Sequence, residues 1–285
     1  MAENENIDKD KAEEQANREI DLARRFWYAY LTGDESDLIV GRRMAMMRRV
    51  FRNLPTDPRC KVCNVPFGGM GGAAVRIFGW DRSNFNPGLC NQCEKTVKKY
   101  QVGTELQLTM LFADVRGSTT LAEQAGPSVF HHLINRYYRV STEVLSKSDA
   151  LINRLIGDAL IALYVPGIAG PQHARVAVEA ARALLRATGH ADPAGPWIGV
   201  GIGVHMGMAY VGAVGSSDSV SDIAVLGDAA NIAARLSSQA GVGEILVSEE
   251  TSRAADLRLE DCEVRNLKLK GRDEPVAVRV VRVSA

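Results

Sequence analysis

Three sets of residues in this 285-residue chain have the types and spacing to do chemistry. The first is a pair of CxxC steps, Cys60 with Cys63 and Cys90 with Cys93, with 26 residues between the pairs. Each step turns two thiolates toward one point, and four thiolates suit a tetrahedral Zn²⁺ ion or an iron-sulfur cluster; the interval is long for a compact zinc ribbon. The second set is a pair of carboxylates in apolar surroundings. Asp114 ends the run "ELQLTMLFADV", and Asp158 sits at the centre of "LINRLIGDALIALYV", four residues after Arg154. The third is "RGSTTLAE", where Gly117, Ser118 and Thr119 open a helix whose first N–H groups are free to cradle phosphate oxygens.

The elements that must position these groups follow from hydrophobic period. Gly-Asp between two apolar runs of strand length is a hairpin signal, so Leu151 to Val165 reads as two strands about a tight turn. A strand over "ELQLTMLFADV" precedes it, with one or two helices between. The helix "PQHARVAVEAARALLRATG" follows, then "WIGVGIGVHMGMAYVGAVG" as two strands around a glycine turn, the helix "DAANIAARLSSQA", the strand "EILVS" and a closing "VAVRVVRVS". The order β, α, β, β, α, β predicts an α+β, ferredoxin-like split βαβ fold: an antiparallel sheet with its helices on one face. In such a sheet the end of the first strand and the hairpin turn can face each other, bringing Asp114 to Asp158. Two close carboxylates repel unless a cation lies between them, and oxygen ligands suit Mg²⁺ or Mn²⁺. Taken singly, a helix cap at Asp114 and a plain turn residue at Asp158 explain the same positions.

Upstream, residues 1–16 have the composition of a solvated end. From Arg18 a helix is expected with Ile20, Trp27 and Leu31 near one face and Gly33 as terminator. A second, from Asp37, has Val40, Met44, Met47 and Phe51 as its apolar stripe and arginines elsewhere, a surface or docking helix. The expected organisation is an N-terminal tail and amphipathic helices over 1–55, a four-cysteine module over 56–100 and the α+β domain over 101–285. Cys262, unpaired, reads as a small buried or half-buried residue.

Lys plus Arg and Asp plus Glu are 34 each, so the chain makes no overall electrostatic case for nucleic acid or membrane. Locally, residues 38–61 carry seven basic side chains against the single acid Asp57, but aromatic residues are not interleaved with them, which weakens a nucleic-acid reading. The start lacks a signal-peptide pattern and no apolar run is long enough to span a bilayer, so a cytoplasmic protein without a transmembrane segment is expected. Four paired cysteines fit a reducing compartment better as a metal or redox site than as disulfides.

Six blocks, "LFADVRGST", "INRLIGDALIALY", "GIGVHMGMAYVGAVG", "VLGDAANIAARL", "GEILVSEET" and "LKLKGRDEPVAVRVV", resemble, in order and spacing, the catalytic domain of class III nucleotidyl cyclases over about residues 105–285. The resemblance implies a head-to-tail homodimer with active sites built from both subunits. It implies that a nucleoside triphosphate, ATP most often, becomes a 3′,5′-cyclic nucleotide and pyrophosphate. Asp114 and Asp158 then match the carboxylates that hold two Mg²⁺ or Mn²⁺ ions, Asn231 and Arg235 the partner-chain pair that orients the ribose and stabilises charge at the α-phosphate, and Arg272 a terminal-phosphate contact.

Two positions depart from that pattern. Arg154 stands where the family usually has a base-reading lysine, and Ala224 where its hydrogen-bonding companion is usual. Arginine presents a two-pronged donor and alanine none, so the usual adenine contacts are altered and GTP, UTP and CTP stay open; Asp222 is the nearest polar substitute. A different class of function is a catalytically idle, cyclase-like nucleotide-binding or dimerisation module regulated by the cysteine centre. Retention of Asp114, Asp158, Asn231 and Arg235 argues against it.

Overall fold

A computed structural model describes residues 2–34, 36–37, 40–54, 58–83, 88–100, 103–214, 222–259, 261–269, 271–272 and 274–284. In chain order the elements are α1 (Ala2–Thr32), α2 (Val40–Arg52), α3 (Gly69–Arg76), α4 (Asn91–Tyr100), β1 (Gly103–Val115), α5 (Ser118–Ala125), α6 (Pro127–Lys147), β2 (Leu151–Ile156) and β3 (Ala159–Tyr164). They continue with α7 (Pro166–Ala169), α8 (His173–Ala187), β4 (Val200–Val214), β5 (Asp222–Leu226), α9 (Asp228–Gln239), β6 (Ile245–Ser248), α10 (Glu249–Ala255), β7 (Glu263–Leu267) and β8 (Val276–Val281). The chain divides into two compact units, residues 1–106 with 210–225, and residues 107–209 with 226–285.

In the first unit α1 packs on α2 and α4, burying Trp27, Tyr30 and Leu31. The helix extends upstream of Arg18 to Ala2 because this stretch is rich in the strong helix formers Ala, Glu, Lys and Gln, and Glu14 pairs with Arg18 one turn on. Ile20, expected on the apolar face, is 42% exposed. The second helix is described from Val40, and Asp37 caps it as expected: its carboxylate accepts from the Val40 N–H and its carbonyl from the Gly41 N–H, both at 2.9 Å.

The eight strands form one sheet in the order β2-β3-β1-β4-β6-β8-β7, with β5 pairing β4 off that path. The first four strands have the split βαβ order, β1 lying between β3 and β4. Beyond them the arrangement departs from expectation in three ways. The sheet is mixed, because β4 runs parallel to β6. The glycine-rich segment makes a single 15-residue strand, without the expected glycine turn. The helices also cover both faces.

The last two differences share a cause. Val200, Ile202 and Val204 point into a core shared with Tyr137 and Leu145 of α6 and Val178, Ala181 and Leu184 of α8. The alternate positions, Gly201, Gly203 and Gly207, face α9, because side chains alternate across a strand. A Cβ on Gly203 would lie 2.3 Å from the Ser237 nitrogen and 2.5 Å from the Ala233 oxygen; on Gly207 it would lie 2.7 Å from the Ala229 Cβ. These glycines admit a helix backbone against the strand and do not mark a turn.

Near the far edge, Glu244 sits almost buried among cations. Arg265 donates to both its carboxylate oxygens at 2.8 Å, Arg282 adds a bond at 2.5 Å, and the Gly241 N–H donates at 3.0 Å. The Arg265 hydrogen bonds, outweighing burial, pull the Glu244 carboxyl from the ordinary 4.5 to about 2. A depressed folded value stabilises the fold above the unfolded value and is lost as pH falls through the folded one, by about 3 kcal/mol in all. Glu244→Gln should therefore unfold at lower urea than the parent at pH 7, and the gap should close as pH falls from about 4.5 to about 2, read by urea titration at stepped pH.

Candidate active site

The carboxylate pair is delivered by strand register. β1 and β3 are antiparallel with Asp114 opposite Ala159, and Asp158 immediately precedes that residue in the β2–β3 turn. Gly157 takes φ 62°, the left-handed value a two-residue hairpin with glycine first requires, which leaves Asp158 as the second turn residue. Two contacts fix the turn: the Val115 N–H donates to the Asp158 carbonyl at 3.4 Å, and the Tyr138 hydroxyl of α6 donates to the Gly157 carbonyl.

The expected meeting of Asp114 and Asp158 takes place. Burial, opposed by the Arg116 guanidinium and reinforced by repulsion from Asp158, pushes the Asp114 carboxyl above its ordinary value. Tyr137 of α6 is fully buried, and its hydroxyl has no hydrogen-bond partner among the described residues. Two half-buried carboxylates that repel each other are a donor set for a hard divalent cation, so these residues fit such an ion.

Arg116 is a site residue that the sequence reading passed over. Its Nη2 pairs with the Asp114 carboxylate, while Nη1 donates to the Ser238 carbonyl at 3.0 Å and to the Ala240 carbonyl at 3.4 Å, at the end of α9. The available signal was a cation two positions beyond the carboxylate in "DVRGS". Its partners lie more than 120 residues on, where no local pattern points. Tyr138 gives no sequence signal beyond its place in an amphipathic helix.

Gly117 has φ 68° and precedes α5, whose cap lacks a side-chain hydrogen bond, so the opening amides at Ser118 and Thr119 have no cap partner. Asn231 and Arg235 stand one turn apart on α9. Asn231 is exposed, and a Cβ on Gly271 would lie 3.6 Å from Arg235 Nη2. Arg272 pairs with Asp228 at the start of α9, with 2.5 Å between Nη1 and the carboxylate. Ala224 is half-buried on β5. The side chains of Arg154 and Asp222 lie outside the described residues.

The four cysteines converge as expected. Their sulfur atoms lie within 4.8 Å of one another, and all four residues are buried and free of disulfides. Cys262 is half-buried at the edge of the main core. Among the described residues no helix is long and apolar enough to cross a membrane.

With this geometry in hand, comparison with known proteins is specific. The adenylate cyclase of Anabaena cylindrica is 31% identical over 189 residues, covering 62% of this chain and 37% of that protein. Adenylate cyclase 1 of Rhizobium meliloti is 30% identical over 135 residues, covering 46% of this chain and 20% of its own. The chain thus spans about a third or less of these relatives. Among solved structures, a guanylyl cyclase superposes with a TM-score of 0.56 at 25% identity, covering 62% of this chain and 92% of that one. The adenylyl cyclase CyaB from P. aeruginosa gives 0.55 at 26% identity, covering 64% and 97%. A profile of the adenylate and guanylate cyclase catalytic domain matches residues 101–280, and the chain therefore belongs to that family, class III of the nucleotidyl cyclases.

Proposed function

We propose that this protein is a nucleotidyl cyclase that acts as a head-to-tail homodimer on a nucleoside triphosphate, ATP first among them. The observation that carries the proposal is the convergence of Asp114 and Asp158 at one end of β1, in a chain of this family. In the reaction the ribose 3′ oxygen forms a bond to the α-phosphorus, the bond from that phosphorus to the α,β-bridging oxygen breaks, and pyrophosphate leaves. The 3′ hydroxyl proton passes to solvent.

Asp114 and Asp158 would hold two Mg²⁺ or Mn²⁺ ions, and these supply acidification of the 3′ hydroxyl and neutralisation of triphosphate charge. The protein's own groups do the remainder. The amides at Ser118 and Thr119 receive phosphate oxygens, as a helix start does. Arg116 already neutralises Asp114 and ties it to α9, holding the carboxylate in place. Asn231 and Arg235 of a partner subunit orient the ribose and meet charge developing on the α-phosphate. Arg272 exchanges its pairing with the exposed Asp228 for the terminal phosphates.

ATP is favoured by the names of the two relatives above, both adenylate cyclases, although one of the two similar structures is a guanylyl cyclase. Arg154 and Ala224 favour a second reading for the base alone: discrimination between purines is weak, because Ala224 offers no side-chain hydrogen bond to reject the wrong edge. Incubating the purified chain with each of ATP, GTP, UTP and CTP, with Mg²⁺ or Mn²⁺, and identifying products by mass tests both. Cyclic AMP should dominate, with measurable cyclic GMP. Absence of any cyclic product under all combinations overturns the cyclase reading.

A further inference from the structure

The cysteine cluster belongs to the first unit and has no part in the nucleotide chemistry above. Cys60 and Cys63 sit on a tight knuckle: Arg59 and Pro66 bridge across it, the Asn64 N–H returns to the Cys60 carbonyl at 2.9 Å, and Asn64 takes φ 62°. Cys90 immediately precedes α4 and Cys93 lies in its first turn, so the second pair rides on a helix start. Backbone amides already point at sulfur, from Cys90 to the Cys60 Sγ at 3.3 Å and from Cys93 to the Cys90 Sγ at 3.4 Å.

The spacing of the sulfurs selects a single tetrahedral ion over a multi-iron cluster. A Zn²⁺ ion with bonds of about 2.3 Å places tetrahedral thiolates about 3.8 Å apart. The Cys63 and Cys90 sulfurs are 3.8 Å apart, and no pair of ligand atoms exceeds 4.8 Å. An iron-sulfur cluster distributes its thiolates over different irons around a cage that also holds sulfide, which spreads them farther than this cavity allows.

A second observation comes from outside the cysteine module. Tyr30 of α1 is completely buried, and its hydroxyl has no hydrogen-bond partner among the described residues. A buried hydroxyl left in this way costs free energy unless something accepts its proton. Its helix packs against α4, whose first turn carries Cys93, and the charged groups that reach it are Cys60, Cys93 and Cys63, opposed by Arg48 of α2. Its ring stacks on Trp27 with centroids 5.5 Å apart, and Arg48 Nε donates to the Val62 carbonyl inside the knuckle at 2.9 Å. Four thiolates around a divalent ion carry net negative charge, and such a shell accepts hydrogen bonds from its surroundings.

We infer that Cys60, Cys63, Cys90 and Cys93 hold one tetrahedral Zn²⁺ ion, and that Tyr30 donates its hydroxyl hydrogen to that thiolate shell, so that the ion helps to seat the first helix. Binding releases the thiol protons to solvent and changes no oxidation state.

The test uses the full chain, purified without oxygen and without added metal. Elemental analysis should find about one zinc per chain with a featureless visible spectrum, and X-ray absorption at the zinc edge should give four sulfur neighbours near 2.3 Å. Stoichiometric iron, with or without acid-labile sulfide, nitrogen or oxygen in the shell, or no bound metal would each overturn the assignment. Tyr30→Phe keeps the ring and removes only the donor. It should weaken zinc affinity by about 10-fold or more in competition with a chromophoric chelator. Tyr137→Phe, which removes another buried and unpartnered hydroxyl, should leave that affinity unchanged. Equal zinc affinity in the parent and Tyr30→Phe would remove Tyr30 from the site.

Discussion

Asp158→Ala is expected to lower cyclic-nucleotide formation by about 10³-fold or more while leaving the fold intact. In the proposed mechanism the side chain is one of two carboxylates that hold metal ions at the reacting phosphate, and losing about 4 kcal/mol of transition-state stabilisation corresponds to that factor. Stability should move the other way. The turn is held through the Asp158 carbonyl, which alanine retains, and Asp114 is released from a repelling neighbour. The variant should therefore unfold at the same or a higher temperature than the parent. A matched fall in both quantities would mean that Asp158 is a turn residue with no role in chemistry. Turnover and thermal unfolding measured on one preparation separate the two.

A mixture of two inactive variants is expected to recover what neither has alone. If each site takes its carboxylates from one subunit and Asn231 with Arg235 from the other, a dimer of Asp158→Ala with Arg235→Ala contains one site missing both groups and one missing neither. Random exchange at equal concentration makes half the dimers mixed, so about one quarter of the parental rate should return. The recovered rate should rise with time of mixing as subunits exchange. No recovery after complete exchange, shown by mass-tagged subunits, would place both groups in a single chain's site and refute the head-to-tail arrangement.

How much of this was legible in the sequence depends on the distance over which each signal acts. The hairpin and its acid were legible because Gly157 and Asp158 are neighbours and the turn needs its positive φ at the first of them. The pairing with Asp114 was legible one step further on, since strand order follows from the alternation of elements. The four cysteines announced themselves by type and spacing. The glycines of β4 did not: locally they look like a turn, and only residues such as Ala229, 22 positions after Gly207, reveal them as a contact surface. Arg116 was missed for the same reason, its carbonyl partners being those of Ser238 and Ala240. Tyr30 reads as one more aromatic on an amphipathic helix, and its significance depends on cysteines that fold up beside it. The helices on both faces were unforeseen because the four-strand pattern ends before α9 begins.

The glycine row on β4 also says something about tolerance. Side chains can change rotamer, whereas peptide atoms cannot, so a helix that rests on bare main chain is located by a fixed stop and not by a cushion. Asn231 and Arg235 are mounted on that helix, and Asp114 on the same sheet. The fold thus sets the height of the helix that carries Asn231 and Arg235 with the stiffest material a protein has, and any looseness that the proposed nucleotide chemistry needs must be found elsewhere.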